Sequence, residues 1–296
     1  MGRRLILTLL CIAPMIASPG CAGARRRAQA EARDSTKPES SFLVDARRNL
    51  NEQVQQAIDE KDYAAARASL ERTVSENPFS AEGQQRLGEV LLLQGWLDGA
   101  HAAYSKALQL DPDYVGALIG LGQVEARMGR YRQAIERLDR AIDIDPKQAE
   151  AHCALGEVHE ALGRSDEALA AYFRALEIEP TAAPTILRVA MLQIAGARYD
   201  QALVRLDQAA EVAPKDPEIR FHRGRAHLAL GHAASALADL EFAAASMTDR
   251  SDVLYHLALA FELSEQPKNA LSTVERALAI TPENSAARDL AERLRR

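Results

Sequence analysis

The sequence predicts an all-α chain, a solenoid of stacked helical hairpins, and three observations carry that expectation. Of its 296 residues 47% are hydrophobic but only 5% aromatic, so the interior is filled by small and straight aliphatic side chains that favour helix. Pro78, Pro112, Pro146, Pro180, Pro214 and Pro282 stand 34 residues, or a multiple of 34, apart, with Thr248 at the one remaining place. In phase with them runs an unbroken series: Ala66, Ala100, Ala134, Ala168, Ala202, Ala236 and Ala270. A fixed period of this length marks stacked supersecondary units. The charge balance, 36 Lys+Arg against 42 Asp+Glu, lacks the basic surplus of a nucleic-acid binder. Three cysteines cannot frame a disulfide-rich fold.

Residues 1–20 read as an export signal. Arg3 and Arg4 form a basic head, and Leu5 to Ser18 is a short apolar run broken by Pro14. A spanning helix needs about 20 apolar residues, so this run is an address rather than a membrane span. Ser18-Pro19-Gly20-Cys21 resembles a bacterial lipobox. Gly20 and Cys21 match that pattern, whereas Ser18 and Pro19 depart from it. The resemblance implies lipidation of Cys21 as the mature N-terminus. It places the protein in the cell envelope, anchored by lipid to a membrane and facing the periplasm. The alternatives are cleavage after Ala22-Gly23-Ala24, giving a soluble secreted or periplasmic protein, and an uncleaved anchor. Residues 21–46 mix charge, Ser and Pro with little apolar periodicity, which predicts a flexible tether.

Residues 47–284 divide into seven units: 47–80, 81–114, 115–148, 149–182, 183–216, 217–250 and 251–284. Four residues after each Ala of the series comes a large apolar residue: Leu70, Tyr104, Leu138, Tyr172, Leu206, Leu240 and Val274. Three further on is a small one: Thr73, Ala107, Ala141, Ala175, Ala209, Ala243 and Ala277. Leu87-Gly88, Leu121-Gly122 and Leu155-Gly156 recur earlier in their units, and Arg223-Gly224 keeps the Gly. This pattern resembles the tetratricopeptide repeat. The resemblance implies two antiparallel helices per unit and a right-handed solenoid, because no single pair buries its apolar face alone. The first unit is the weakest, with Gln53-Val54 where Leu-Gly belongs. Gly95, Gly129, Gly163 and Gly231 fall where the first helix needs a left-handed cap. Each Pro stops the second helix of a unit or opens the next one. Residues 285–296 have Ala286, Leu290 and Leu294 among charges, which predicts a solvating end helix.

The residues that could carry chemistry read as structural. His152 and His159 are seven apart, and the spacing of five between His222, His227 and His232 rotates each away from the last. No acidic or Cys ligand joins them, so no metal and no cofactor is expected. Gly116, Gly120 and Gly122 have no preceding strand and no following GK[ST], and read as close-packing places. Glu157 and Glu160 read as helix surface charges. No catalytic constellation is visible, so the chain is not expected to be an enzyme.

The resemblance also implies a concave surface lined by first helices, at places two, five, nine, twelve and thirteen of each unit. On the second and fourth units these places hold Glu82, Gln85, Glu89, Glu150, Cys153, Glu157 and Glu160. The third presents Ile119, Gln123 and Arg127. The fifth to seventh present Leu187, Met191, Ile194, Phe221, Arg225, Leu228, Tyr255 and Leu259. The expected peptide-binding groove is Ile119, Arg127 and this last set. An apolar, Met- and aromatic-bearing surface with a single Arg suits an extended or helical peptide. The alternative is that several of these residues only pack between helices. The expected function is therefore a non-catalytic scaffold that binds a protein partner. The resemblance extends to assembly factors for pili, secretion or polysaccharide export. A structural homo-oligomer is the competing class.

Overall fold

The computed structural model describes residues 52–296. The export signal, the tether, Cys21 and the first residues of the first unit lie outside them. The chain divides into two units, one ending at Glu60 and one beginning at Lys61. In the first, residues 52–59 are helical (α1). There Gln55 Nε2 donates to Asp59 Oδ1 at 3.0 Å, one turn along the helix.

The second unit runs through α2 (Tyr63–Glu76), α3 (Ala81–Leu93), α4 (Leu97–Leu110), α5 (Val115–Arg127), α6 (Tyr131–Ile144), α7 (Ala149–Ala161) and α8 (Ser165–Ile178). It continues through α9 (Ala183–Ala195), α10 (Tyr199–Val212), α11 (Pro217–Ala229), α12 (Ala233–Ser246), α13 (Ser251–Leu263), α14 (Pro267–Ile280) and α15 (Ser285–Arg295). No strand occurs among the described residues. The fold is an all-α solenoid, as the period predicts. From α3 to α14 the helices pair into six hairpins, each a 13-residue first helix and a 14-residue second helix.

Two local devices make the hairpins. The turn inside each one needs a left-handed residue: φ is 77°, 75°, 71° and 75° at Gly95, Gly129, Gly163 and Gly231. Glycine adopts that region without a steric penalty. The same place is left-handed at Lys61, Ala197 and Glu265 (φ 60°, 54° and 58°), where a Cβ is carried against strain. The second device ends the second helix. Asp111 and Asp145, each preceding a Pro of the series, cap α4 and α6 in extended backbone (φ −136° and −135°). A residue before Pro is pushed out of the helical region. These prolines therefore stop second helices. The helices that open on Pro at their first turn are α9, α11 and α14, through Pro184, Pro217 and Pro267. Side-chain oxygens of Asp62, Ser80, Asp216 and Asn284 accept from the first free N–H groups of α2, α3, α11 and α15.

Packing follows the 34-residue series. Ala100, Ala134, Ala168, Ala202, Ala236 and Ala270 are fully buried, as are Tyr172, Leu138, Leu206 and Leu240. The interior is a succession of small cores, each shared by consecutive helices. Close approach is demanded at Gly120, where a Cβ would lie 2.2 Å from the Tyr104 ring, and at Gly122, 2.8 Å from Leu138. Gly116 differs from that reading: its nearest neighbour, Gln85, would be an ordinary contact at 3.7 Å.

The Arg at the Leu-Gly place also has a physical reason. Asp239 on α12 is 2% exposed and receives Arg223 Nε at 2.7 Å, Arg223 Nη2 at 2.8 Å and Arg220 Nη1 at 2.8 Å. Burial works against ionisation there, and the hydrogen bonds from Arg223 and Arg220 outweigh it, holding the carboxyl below its ordinary range. Asp239 keeps one arginine if the other is removed, whereas removing Asp239 leaves Arg223 with Asp207 alone, at 3.0 Å.

At the C-terminus α15 buries Leu290 against the last hairpin with Leu294 half-buried, as expected; Ala286 is exposed, and Ala287 and Ala291 are buried in its stead. Arg293 pairs with Glu262 and Arg295 with Glu275 across that join.

Candidate functional site

First helices of successive hairpins touch one another: α3 meets α5, α5 meets α7, α9 meets α11 and α11 meets α13. No pair of second helices approaches as closely, because each is separated from the next by a first helix. First helices therefore occupy the inner, concave side.

On that side, over α9, α11 and α13, opens a cavity of about 720 Å³. Its apolar wall includes Ile194, Leu228, Leu259 and Leu263, and its polar edge is Arg225, His256, Glu262 and the ring of Tyr199 at the start of α10. Four of the expected groove residues meet here: Ile194, Arg225, Leu228 and Leu259. Leu187 and Met191 are half-buried on α9, N-terminal to Ile194, and do not line the cavity.

Phe221 and Ile119 are placed differently from the expectation. Phe221 is 2% exposed and packs with Val253, Leu254 and Leu257, so it supports the wall from behind. Ile119, 3% exposed, belongs to the core with Leu118 and Leu138. Both stand at place five of their helices: Phe221 turns towards α13, the first helix of the next hairpin, and Ile119 lies in the core that α5 shares with α6 and α7. Tyr255 packs against the cluster of Ala258, Val274 and Leu290. Arg127 lines a separate 360 Å³ cavity with Gln123, Tyr131 and Glu157 on α5–α7.

The electrostatics separate these regions. On α7 Glu157 and Glu160 are not free surface charges. Arg188 reaches both, at 4.0 and 3.5 Å, and the Tyr172 hydroxyl donates to Glu160 at 2.9 Å. Glu150 accepts from Gln123 at 3.0 Å, and Glu89 is raised above its ordinary value by burial. Beside the larger cavity arginines and carboxylates are paired with one another, except Arg225. Buried His222 is held down at about 4 by burial and then by Arg225 and Arg250, so it is neutral. Arg225 Nη1 donates to its Nδ1 at 3.3 Å. His256 Nδ1 donates to the Asp252 carbonyl at 2.7 Å and is depressed by burial. Arg250 is held between Glu218 and Asp252, 2.6 Å from each.

The cavity residues missed by the first-helix places have mixed legibility. Glu262 and Leu263 stand at places twelve and thirteen and follow the same rule. Tyr199 stands on a second helix, and only the tertiary turn brings it in. The spacing argument also fails for one histidine pair. Because α11 ends at Ala229 and Gly231 turns the chain back, His227 and His232 meet with their Nδ1 atoms 3.3 Å apart. Among the described residues no group of three or more His, Cys, Asp or Glu converges as a metal site, and no helix is long and apolar enough to cross a membrane. Cys153 is a free, half-buried thiol 3.6 Å from Thr185 Oγ1.

Models of the tetratricopeptide repeat match residues 119–184 and 223–285, and again 159–221; a TPR repeat model matches 88–129. No curated protein sequence matches the chain. Solved structures share the fold. PilF of Pseudomonas aeruginosa aligns with a TM-score of 0.67 at 16% identity, over 72% of this chain and 97% of that one. PilW, a type IV pilus biogenesis factor, gives 0.62 at 18% identity, over 71% and 97%. The APC/C hetero-tetramer Cut9-Hcn1 gives 0.66 at 19% identity, over 81% of this chain; the match spans about half, 51%, of that chain.

Proposed function

Since the chain belongs to the tetratricopeptide repeat family, we propose that it is a non-catalytic scaffold of the bacterial cell envelope that holds a partner polypeptide on its concave face. The observation that carries this reading is the cavity over α9, α11 and α13, where Leu228, Leu259 and Leu263 stay open to the groove over the nearly buried Ile194. Binding surfaces of this kind combine an apolar floor with few polar groups at the edge. The basic head, short apolar run and Gly20-Cys21 of the N-terminus support export and a lipid anchor at Cys21. The fold shared with PilF and PilW suggests an assembly role as the first class to test.

The test is affinity capture from detergent-solubilised envelope, joined to intact-mass measurement of the mature N-terminus. A diacylglyceryl mass on Cys21 is expected, as is a co-purifying protein whose capture falls at least tenfold with Leu228→Asp while helical content is unchanged. Capture that is indifferent to Leu228→Asp would contradict the groove. A single homogeneous oligomer without a partner, measured by light scattering, would favour a structural homo-oligomer instead.

A further inference from the structure

Arg225 is the cation of the larger cavity, and no carboxylate of the described residues lies within ion-pair distance of it. Its contacts are the neutral His222 Nδ1 at 3.3 Å and the Phe221 ring, whose centroid is 5.5 Å away. Its Nε is covered and has no acceptor. The other cations around it differ. Arg250 holds two carboxylates, and Glu262, the acid on the cavity wall, is engaged by two nitrogens of Arg293 at 2.9 and 2.7 Å. On the same inner face Arg188 is paired with Glu157 and Glu160. A half-buried guanidinium beside Leu228 and Leu259 is thus left without a counter-ion. A charge held next to apolar surface gains most from an ionised partner that arrives with the ligand.

We propose that the occupant of this cavity is a partner segment carrying a large apolar side chain beside an Asp or Glu. The apolar side chain fills the space between Ile194, Leu228 and Leu259, and the carboxylate pairs with Arg225. One guanidinium, rather than a cluster of several donors, matches a side-chain carboxylate within a chain. This rests on the groove reading above and adds the chemistry of what the groove selects.

The test is selection of random peptides displayed on phage against the immobilised 52–296 portion within the full chain, using wild type, Arg225→Gln and Leu228→Asp. Wild type is expected to enrich peptides with an apolar residue next to Asp or Glu. Their affinity, measured by fluorescence anisotropy, is expected to fall about tenfold or more in Arg225→Gln, the worth of one charge-assisted hydrogen-bonded pair. Changing the peptide's Asp to Asn or Glu to Gln is expected to give the same loss on wild type and no further loss on Arg225→Gln. The wild-type half of this second arm does not depend on how well the variant folds. Enriched peptides without a carboxylate, or affinities equal on wild type and Arg225→Gln, overturn the proposal; if those peptides still lose binding in Leu228→Asp, the groove reading survives. Peptides indifferent to Leu228→Asp, or no enrichment at all, overturn both.

Discussion

At the scale of single residues, His222 shows how burial among cations becomes a stability effect. Its pKa falls from 6.5 to about 4 because it is buried and faces Arg225, Arg250 and His256, with Asp252 acting the other way. Its folded pKa is depressed, so the unfolded chain takes up the proton first. The contribution is fully present above pH 6.5 and is lost as the pH falls towards 4. The shift is worth about 3 kcal/mol over that window. Urea unfolding of wild type and His222→Gln at pH 7 and pH 4.5 checks this: the wild type is expected to lose more stability by roughly 2 kcal/mol, part of the full shift. Equal losses would mean that His222 is not the group responding. Residue identities at such places were only partly legible in the sequence. Arg223 at a Leu place was visible as an exception, but its reason, Asp239 sixteen residues on, needed the hairpin to be closed. Phe221 and Ile119 read as groove residues because the first-helix places were applied uniformly. The structure buries place five at Ile119 and Phe221 and leaves it half-buried at Gln85, Cys153, Leu187 and Tyr255, while places nine, twelve and thirteen carry the cavity.

At the scale of the element, the hairpin and its period were legible because each depends on short-range chemistry repeated every 34 residues. A small residue sits where helices cross, a left-handed residue turns the hairpin, and a residue before Pro ends it. What the period did not show is that Lys61, Ala197 and Glu265 adopt the same left-handed backbone as the glycines. At Ala197 and Glu265 the turn is fixed by the two helices packed on it, and the local residue yields. Ala197→Gly and Glu265→Gly are therefore expected to raise stability, by about 0.5–1 kcal/mol each after the added freedom of the unfolded chain is offset. Thermal unfolding followed by circular dichroism measures this. A lower midpoint in both variants would show that those turns carry no strain. The end helix illustrates the limit on boundaries: its buried stripe is Ala287, Leu290 and Ala291, set by what the last hairpin offers.

At the scale of the whole molecule, stability is a sum of neighbour contacts, because each small core is shared by consecutive helices and none spans the unit. That organisation leaves a continuous inner face of first helices, and the side chains displayed on it decide what it binds. Fold class was readable from the sequence because several series of positions, in phase over successive units, repeat one instruction. The cavity was readable only in part, since it is made where three helices converge and its Tyr199 comes from a fourth. The claim on which the functional reading turns is that a partner lies against α9, α11 and α13. Photo-crosslinking tests it most directly, with a benzophenone side chain placed at Leu259 in the cavity or at Val204, exposed on α10. A covalent adduct with the captured partner is expected from position 259 and not from 204. An adduct from 204 with none from 259 would contradict the account.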